Sequence, residues 1–177
     1  MSGVTVRSLN RLRTMNLPTP RVPPIVLDTN VVLDWLVFGD PDGATLGAAI
    51  VAGEVRWIAT TAMRDELAHV LGRGHLDPWH PDPAVVWGAW DRHCESVATP
   101  PALAAAGRLH CSDPDDQKFI DLAVRAPARW LLSRDRAVLK LSRQLLAIGV
   151  QVTVPQHWRR ERASTASRAA AGSHEGI

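Results

Sequence analysis

The sequence predicts an α/β fold: a three-layer α/β/α sandwich around a central, mostly parallel sheet. Short apolar runs recur along the chain, and stretches with helical apolar spacing fill the gaps between them. Strands alternating with helices make βα units, which bury a parallel sheet on both faces. With 177 residues and 46% apolar content, the chain suits one domain with a sizeable core.

The strand candidates are Ile25-Val26-Leu27, Arg56 to Thr60, Trp130 to Ser133 and Val150 to Val154, with Ser96-Val97-Ala98 a weaker fifth. Helical patterns follow at roughly 30–38, 43–53, 62–72, 83–93, 115–126 and 135–148. Gly149 stands where the last of these would need a C-cap. Pro18, Pro20, Pro23 and Pro24 separate this body from an N-terminal tail, and an Ala/Ser/Arg/Gly-rich stretch follows it. The division is therefore a basic flexible tail over 1–22, a domain over 23–158 and a basic, disordered tail over 159–177.

Charge follows the same division. Arg7, Arg11, Arg13 and Arg21 make the first tail basic without any acid, whereas the body carries more acidic than basic residues. Basic arms can bind nucleic acid by releasing counterions from phosphates, but solvated ends explain them as well. Cys94 and Cys111 are too few for a disulfide framework. No run approaches a membrane span, and Leu9 to Val22 is too interrupted for a secretory signal. A soluble, cytoplasmic protein without membrane contact is the expectation.

In parallel sheets, sites form beyond the carboxyl ends of the strands. Asp28 follows the first strand in VLDTN, where it also suits a helix cap. On a helical wheel, Glu66 lies at the edge of the stripe formed by Met63, Leu67, Val70 and Leu71, while Asp65 faces away. In SDPDDQKF, Asp113 followed by Pro114 reads as an N-cap, and Asp116 falls within the stripe of Phe119, Ile120 and Ala123. Asp116 could complete a capping pair with Asp113, or it could face a cation, since an unpaired buried charge is costly. Asp115 is marginal and Asp121 points outward. Asp135 follows a strand-ending serine in LLSRDRAVL.

Taken jointly, Asp28, Glu66, Asp116 and Asp135 converge on one edge of the sheet. Two unit charges ~4 Å apart repel by about 4 kcal/mol at an effective dielectric near 20. Such a cluster calls for a cation, and an all-oxygen donor set favours Mg²⁺ or Mn²⁺ over zinc. That chemistry suits phosphoryl transfer.

VLDTNVVLDWL, TTAMRDELAHVL, SDPDDQKFIDLA and WLLSRDRAVL resemble, in order and spacing, the PIN-domain family, over roughly residues 24–155. The nearest branch resembles the toxin components of bacterial toxin–antitoxin pairs. The resemblance implies an Mg²⁺- or Mn²⁺-dependent ribonuclease acting on RNA, with Asp28, Glu66, Asp116 and Asp135 as catalytic and metal-ligating acids. It also implies supporting roles for Asn30 and Ser133, extra acids at Asp113 and Asp115, a cognate antitoxin and a homodimer. Arg134 and Arg136 flank Asp135 where many relatives have an uncharged neighbour, which leaves open whether Asp135 holds metal directly or through water.

Arg64, Arg73, Arg134 and Arg136 lie near the acids and are candidate RNA-phosphate contacts, with solvated surface arginine the plainer alternative. His93-Cys94 and His110-Cys111 lack zinc-site spacing. Trp57 and Trp130 belong to the core; Trp87 and Trp90 share a helix face that packs within the domain or against a second copy. Two other functions remain in view. One is a housekeeping RNA-processing nuclease or non-catalytic RNA-binding module of the same fold. The other is a phosphatase with Asp28 as nucleophile, against which Asn30 stands where such enzymes want a second Asp.

Overall fold

The computed structural model describes residues 22–103 and 109–162. Five strands form one all-parallel sheet: β1 (Pro24–Leu27), β2 (Arg56–Ala59), β3 (Cys94–Ser96), β4 (Trp130–Leu132) and β5 (Gln151–Thr153), in the order β3-β2-β1-β4-β5. β1 lies at the centre because every one of its residues but the first is buried. The sheet grows to one side through β2 and β3, and then to the other through β4 and β5. The direction therefore reverses between β1 and β4, and that is the switch point at which ligands of open α/β sheets bind.

The helices are α1 (Thr29–Leu36), α2 (Pro41–Val51), α3 (Thr61–Gly72), α4 (Pro83–His93), α5 (Gln117–Arg125), α6 (Arg136–Leu139), α7 (Ser142–Leu146) and α8 (155–162). Right-handed crossovers between these strands place α1 to α4 on one face and α5 to α7 on the other, the α/β/α sandwich expected. Between the first face and the sheet, Trp57 is fully buried against the edges of Trp35 and Trp90, with ring centroids 5.8 and 4.9 Å apart. Trp130 is likewise core, packed edge-on against Trp158 of α8. Trp90 is buried within the domain and Trp87 is half-buried.

Three local differences separate structure from expectation. The edge strand begins at Cys94, not Ser96, because α4 runs directly into it and Glu95 pairs with Arg56 across the edge at 2.7 Å. The helix expected over 135–148 is two short helices: at the break the Leu141 amide bonds back only three residues, to Val138 O, a tightened turn that still buries Val138, Leu141 and Leu145. Gly149 follows with φ +89°, the left-handed geometry a helix end asks of glycine. α8 runs four residues past the expected domain boundary, held by ion pairs from Arg159 to Asp42 (3.1 Å) and from Arg162 to Glu54. The tails over 1–21 and 163–177 lie outside the described residues. No helix of the described residues is long and apolar enough to cross a membrane.

Candidate active site

β1 ends at Leu27, and the next residue, Asp28, still donates its amide to Leu132 O at 2.9 Å as the last rung to β4. Its side chain then caps α1, with Oδ1 accepting from Asn30 N at 3.3 Å. The other oxygen, Oδ2, accepts from Ser133 Oγ at 2.6 Å. Ser133 is completely buried at the end of β4 and its hydroxyl also accepts from Asp135 N at 2.9 Å. Asp135 in turn caps α6 by accepting from Ala137 N. One hydroxyl thus fixes both acids across the switch point. Asn30 supports Asp28 through its backbone amide, while its side chain is exposed, so that support does not depend on the asparagine side chain.

From the loop before α5, Asp113 accepts from Asp115 N at 2.9 Å and caps a single 3₁₀ turn, Pro114–Asp116. This is the cap the Asp-Pro pair predicts. Asp116 does not cap α5: its backbone is already helical and its side chain makes no capping hydrogen bond. Its Oδ2 is buried without a hydrogen-bond partner. Burial, and then the charges of Asp28, Asp135, Asp113 and Glu66, push its carboxyl up to about 6. Burial likewise raises Asp28, opposed by the bonds from Ser133 and Asn30 and reinforced by Glu66 and Asp135. Asp28, Glu66 and Asp135 thus all act electrostatically on Asp116.

Glu66 reaches this edge from α3, partly buried, whereas Asp65 beside it is exposed. Lys118 Nζ lies 2.5 Å from Glu66 Oε2, an ion pair by distance whose angle makes no hydrogen bond, and it also donates to Asp115 O. Lys118 was not singled out by sequence: the contact joins two helices far apart in the chain, and no local spacing announces it. Among the described residues no three acidic, imidazole or thiol side chains are close enough together, as they stand, to hold a metal ion. The donor chemistry nevertheless fits a hard divalent cation: every donor is a carboxylate, and an oxygen of Asp116 is buried and unbonded.

Two further residues escaped the sequence. Asp121 is buried rather than outward-facing, and its Oδ1 accepts from Leu103 N (3.2 Å) and Gln117 Nε2 (2.9 Å). Gln117 also accepts from Cys111 N at 2.7 Å and donates to Leu109 O at 3.2 Å. Together they fasten the segments leading into Asp113 to α5. The Cys111 thiol beside them is buried and pushed up, first by burial and then by the nearby Asp116, Asp113 and Asp135. Cys94, partly buried, is pushed up to about 12, first by desolvation and then by Glu95.

The arginines divide. Arg134 is engaged with Asp34 at 2.5 Å and Asp40 at 3.3 Å, which ties the loop bearing Asp135 to α1 and the start of α2. It serves as an anchoring contact. Arg64 lies over the Trp87 ring at 4.6 Å and 3.7 Å from Asp91. Arg73 and Arg136 are exposed and in no ion pair among the described residues.

A doubly wound parallel sheet with a carboxylate cluster astride its switch point defines the class of this protein. The PIN-domain profile matches residues 24–137, and the chain belongs to the PIN-domain family. The crystal structure of VapBC2 from Rickettsia felis bound to a DNA fragment from their promoter contains a chain of similar fold. The match has a TM-score of 0.52 at 10% identity and covers 74% of this chain and 98% of that one. Among curated proteins none matches significantly.

Proposed function

We propose that this protein is a metal-dependent endoribonuclease that hydrolyses RNA phosphodiester bonds, with Asp28, Glu66, Asp116 and Asp135 as its metal-holding acids. The observation that carries this is Asp116: a carboxylate with a buried, unbonded oxygen, pushed up to about 6 by burial and then by the charges of Asp28, Asp135, Asp113 and Glu66. A bound Mg²⁺ or Mn²⁺ would supply Lewis-acid stabilisation of a phosphoryl oxygen and lower the pKa of an attacking water. The chain's part is to fix the acids: Ser133 orients Asp28 and Asp135, while the 3₁₀ turn capped by Asp113 presents Asp116. Asp115 sits at the exposed rim of the same turn, and Arg136 and Arg73 are cations left free to meet phosphate.

The resemblance of the four acidic motifs to toxin components supports a role as the toxin of a toxin–antitoxin pair, restrained by a cognate antitoxin. The fold shared with a chain of the Rickettsia felis VapBC2 complex accords with such a partner. Cleavage of mixed cellular RNA by purified wild type and Asp116→Asn, with Mg²⁺, Mn²⁺ or chelator, tests the nuclease. Cutting by wild type alone, abolished by chelator, is expected; equal cutting by both proteins would remove Asp116 from the chemistry.

A further inference from the structure

Among the described residues, one cation makes an ion pair with any of the four acids: Lys118, at Glu66. Its backbone lies in the first turn of α5, two residues past Asp116, and its ammonium bridges Asp115 O and Glu66 Oε2. The pair is three-quarters removed from solvent at Lys118 and nearly so at Glu66, with exposures of 25% and 29%. Asp116, two residues before it, feels the charges of Asp28, Asp135 and Asp113 as well as that of Glu66. Such a cluster without metal needs positive charge, and the lysine supplies it from within the chain. The same contact uses an oxygen of Glu66 that the proposed metal site needs, and a carboxylate oxygen held by an ammonium is a poor ligand for a second cation.

Resting on the proposed metal site, we infer that Lys118 is the resident counter-ion of the acid cluster and competes with the divalent cation for Glu66. In the metal-free protein its ammonium stands in for part of the missing positive charge, so the cluster is tolerated and the domain folds before metal is bound. In the loaded protein Lys118 releases Glu66. The metal affinity of the site is thereby set below what its four carboxylates alone would give. A clamp that merely joined α3 to α5 would have no such effect.

The test is calorimetric titration of the full chain with Mn²⁺, without RNA, for wild type, Lys118→Met, Lys118→Arg and Arg136→Met, with circular dichroism confirming the fold of each. Lys118→Met should bind Mn²⁺ roughly fivefold more tightly, the scale of a partly exposed ion pair near ~1 kcal/mol. Lys118→Arg keeps the charge and should stay near wild type. Arg136→Met removes a neighbouring cation that touches none of the acids and should change affinity little. Unchanged or weaker binding by a folded Lys118→Met, or equal tightening by Arg136→Met, would overturn the competition while leaving the metal site standing. Absence of Mn²⁺ binding by all four proteins would overturn the site and the competition together. Binding by Lys118→Met alone would be the strongest form of the expected result.

Discussion

The two halves of the acid cluster are built on opposite principles. On the β1/β4 side, Asp28 and Asp135 are secured by hydrogen bonds: each caps a helix, and Ser133 Oγ joins them across the switch point. On the α3/α5 side, Asp116 Oδ2 and Glu66 Oε2 are buried with no hydrogen bond, and a single lysine partly neutralises Glu66. The first half behaves as structure that also presents acids. The second half is kept unsatisfied, and a fold tolerates buried, unbonded carboxylate oxygens only where something else completes them. The difference separates what holds the site together from what a ligand must supply.

The largest effect that would break this contrast is the response to metal. Mn²⁺ at about 100 times its dissociation constant should stabilise wild type by about 2.7 kcal/mol, read as a rise in melting temperature. Asp116→Asn should lose most of that rise, yet in chelator it should be as stable as wild type or more so. An equal rise in both proteins would mean that the unsatisfied half is not where metal binds. The secured half should behave in reverse. Ser133→Ala strands Asp28 Oδ2 and the Asp135 amide in a completely buried position, at a cost of about 1–3 kcal/mol. Urea denaturation in chelator should show this loss in Ser133→Ala and none in Asp116→Asn; matching losses would erase the distinction between the halves.

How much of this was legible follows from where each signal lives. Asp28 and Asp135 could be read because a strand ending in an acid before a helix is a local pattern, and the caps now seen at both positions are its physical form. Glu66 and Asp116 could be placed by helical period, since the same turn that buries Met63 or Phe119 brings the neighbouring acid inward. Period failed at Asp121, because the chain at Leu103 passes over what would otherwise be an outward face and donates its amide to Asp121 Oδ1. It failed again at the edge strand, whose extent is decided by pairing with Trp57–Ala59 and by the Arg56–Glu95 contact rather than by its own alternation. The ion pairs of Lys118 and Arg134 were missed for one reason. Their partners, Glu66, Asp34 and Asp40, are distant in sequence, and a charged side chain does not declare from its local pattern which acid it will meet.

The smallest effect is pH dependence, and its sign sharpens the contrast most. The carboxyl of Asp116 is pushed up to about 6, mainly by burial, from an ordinary value of 3.8 that it regains in the unfolded chain. Between those values the folded protein keeps a proton that the unfolded chain has released. The contribution of Asp116 to stability is therefore fully present below about pH 4 and is lost as pH rises towards and past 6. Asp40 has the opposite sign: its carboxyl is held low, first by the Gly43 amide, so it stabilises above its ordinary value and loses that contribution as pH falls. Whole-protein melting mixes both, and the difference between wild type and Asp116→Asn isolates the first. In chelator, the melting temperature of wild type minus that of the variant should fall steadily from pH 4.5 to 7.5. The fall should be modest, because Asp116 is only partly buried and solvent screens it. With Mn²⁺ present the wild-type difference should reverse and grow with pH, since the proton must leave before the carboxylate can serve as a ligand. A difference that stays flat in chelator would show that Asp116 titrates like an ordinary surface carboxyl, and the unsatisfied half of the cluster would then carry no stored electrostatic cost for a cation to relieve.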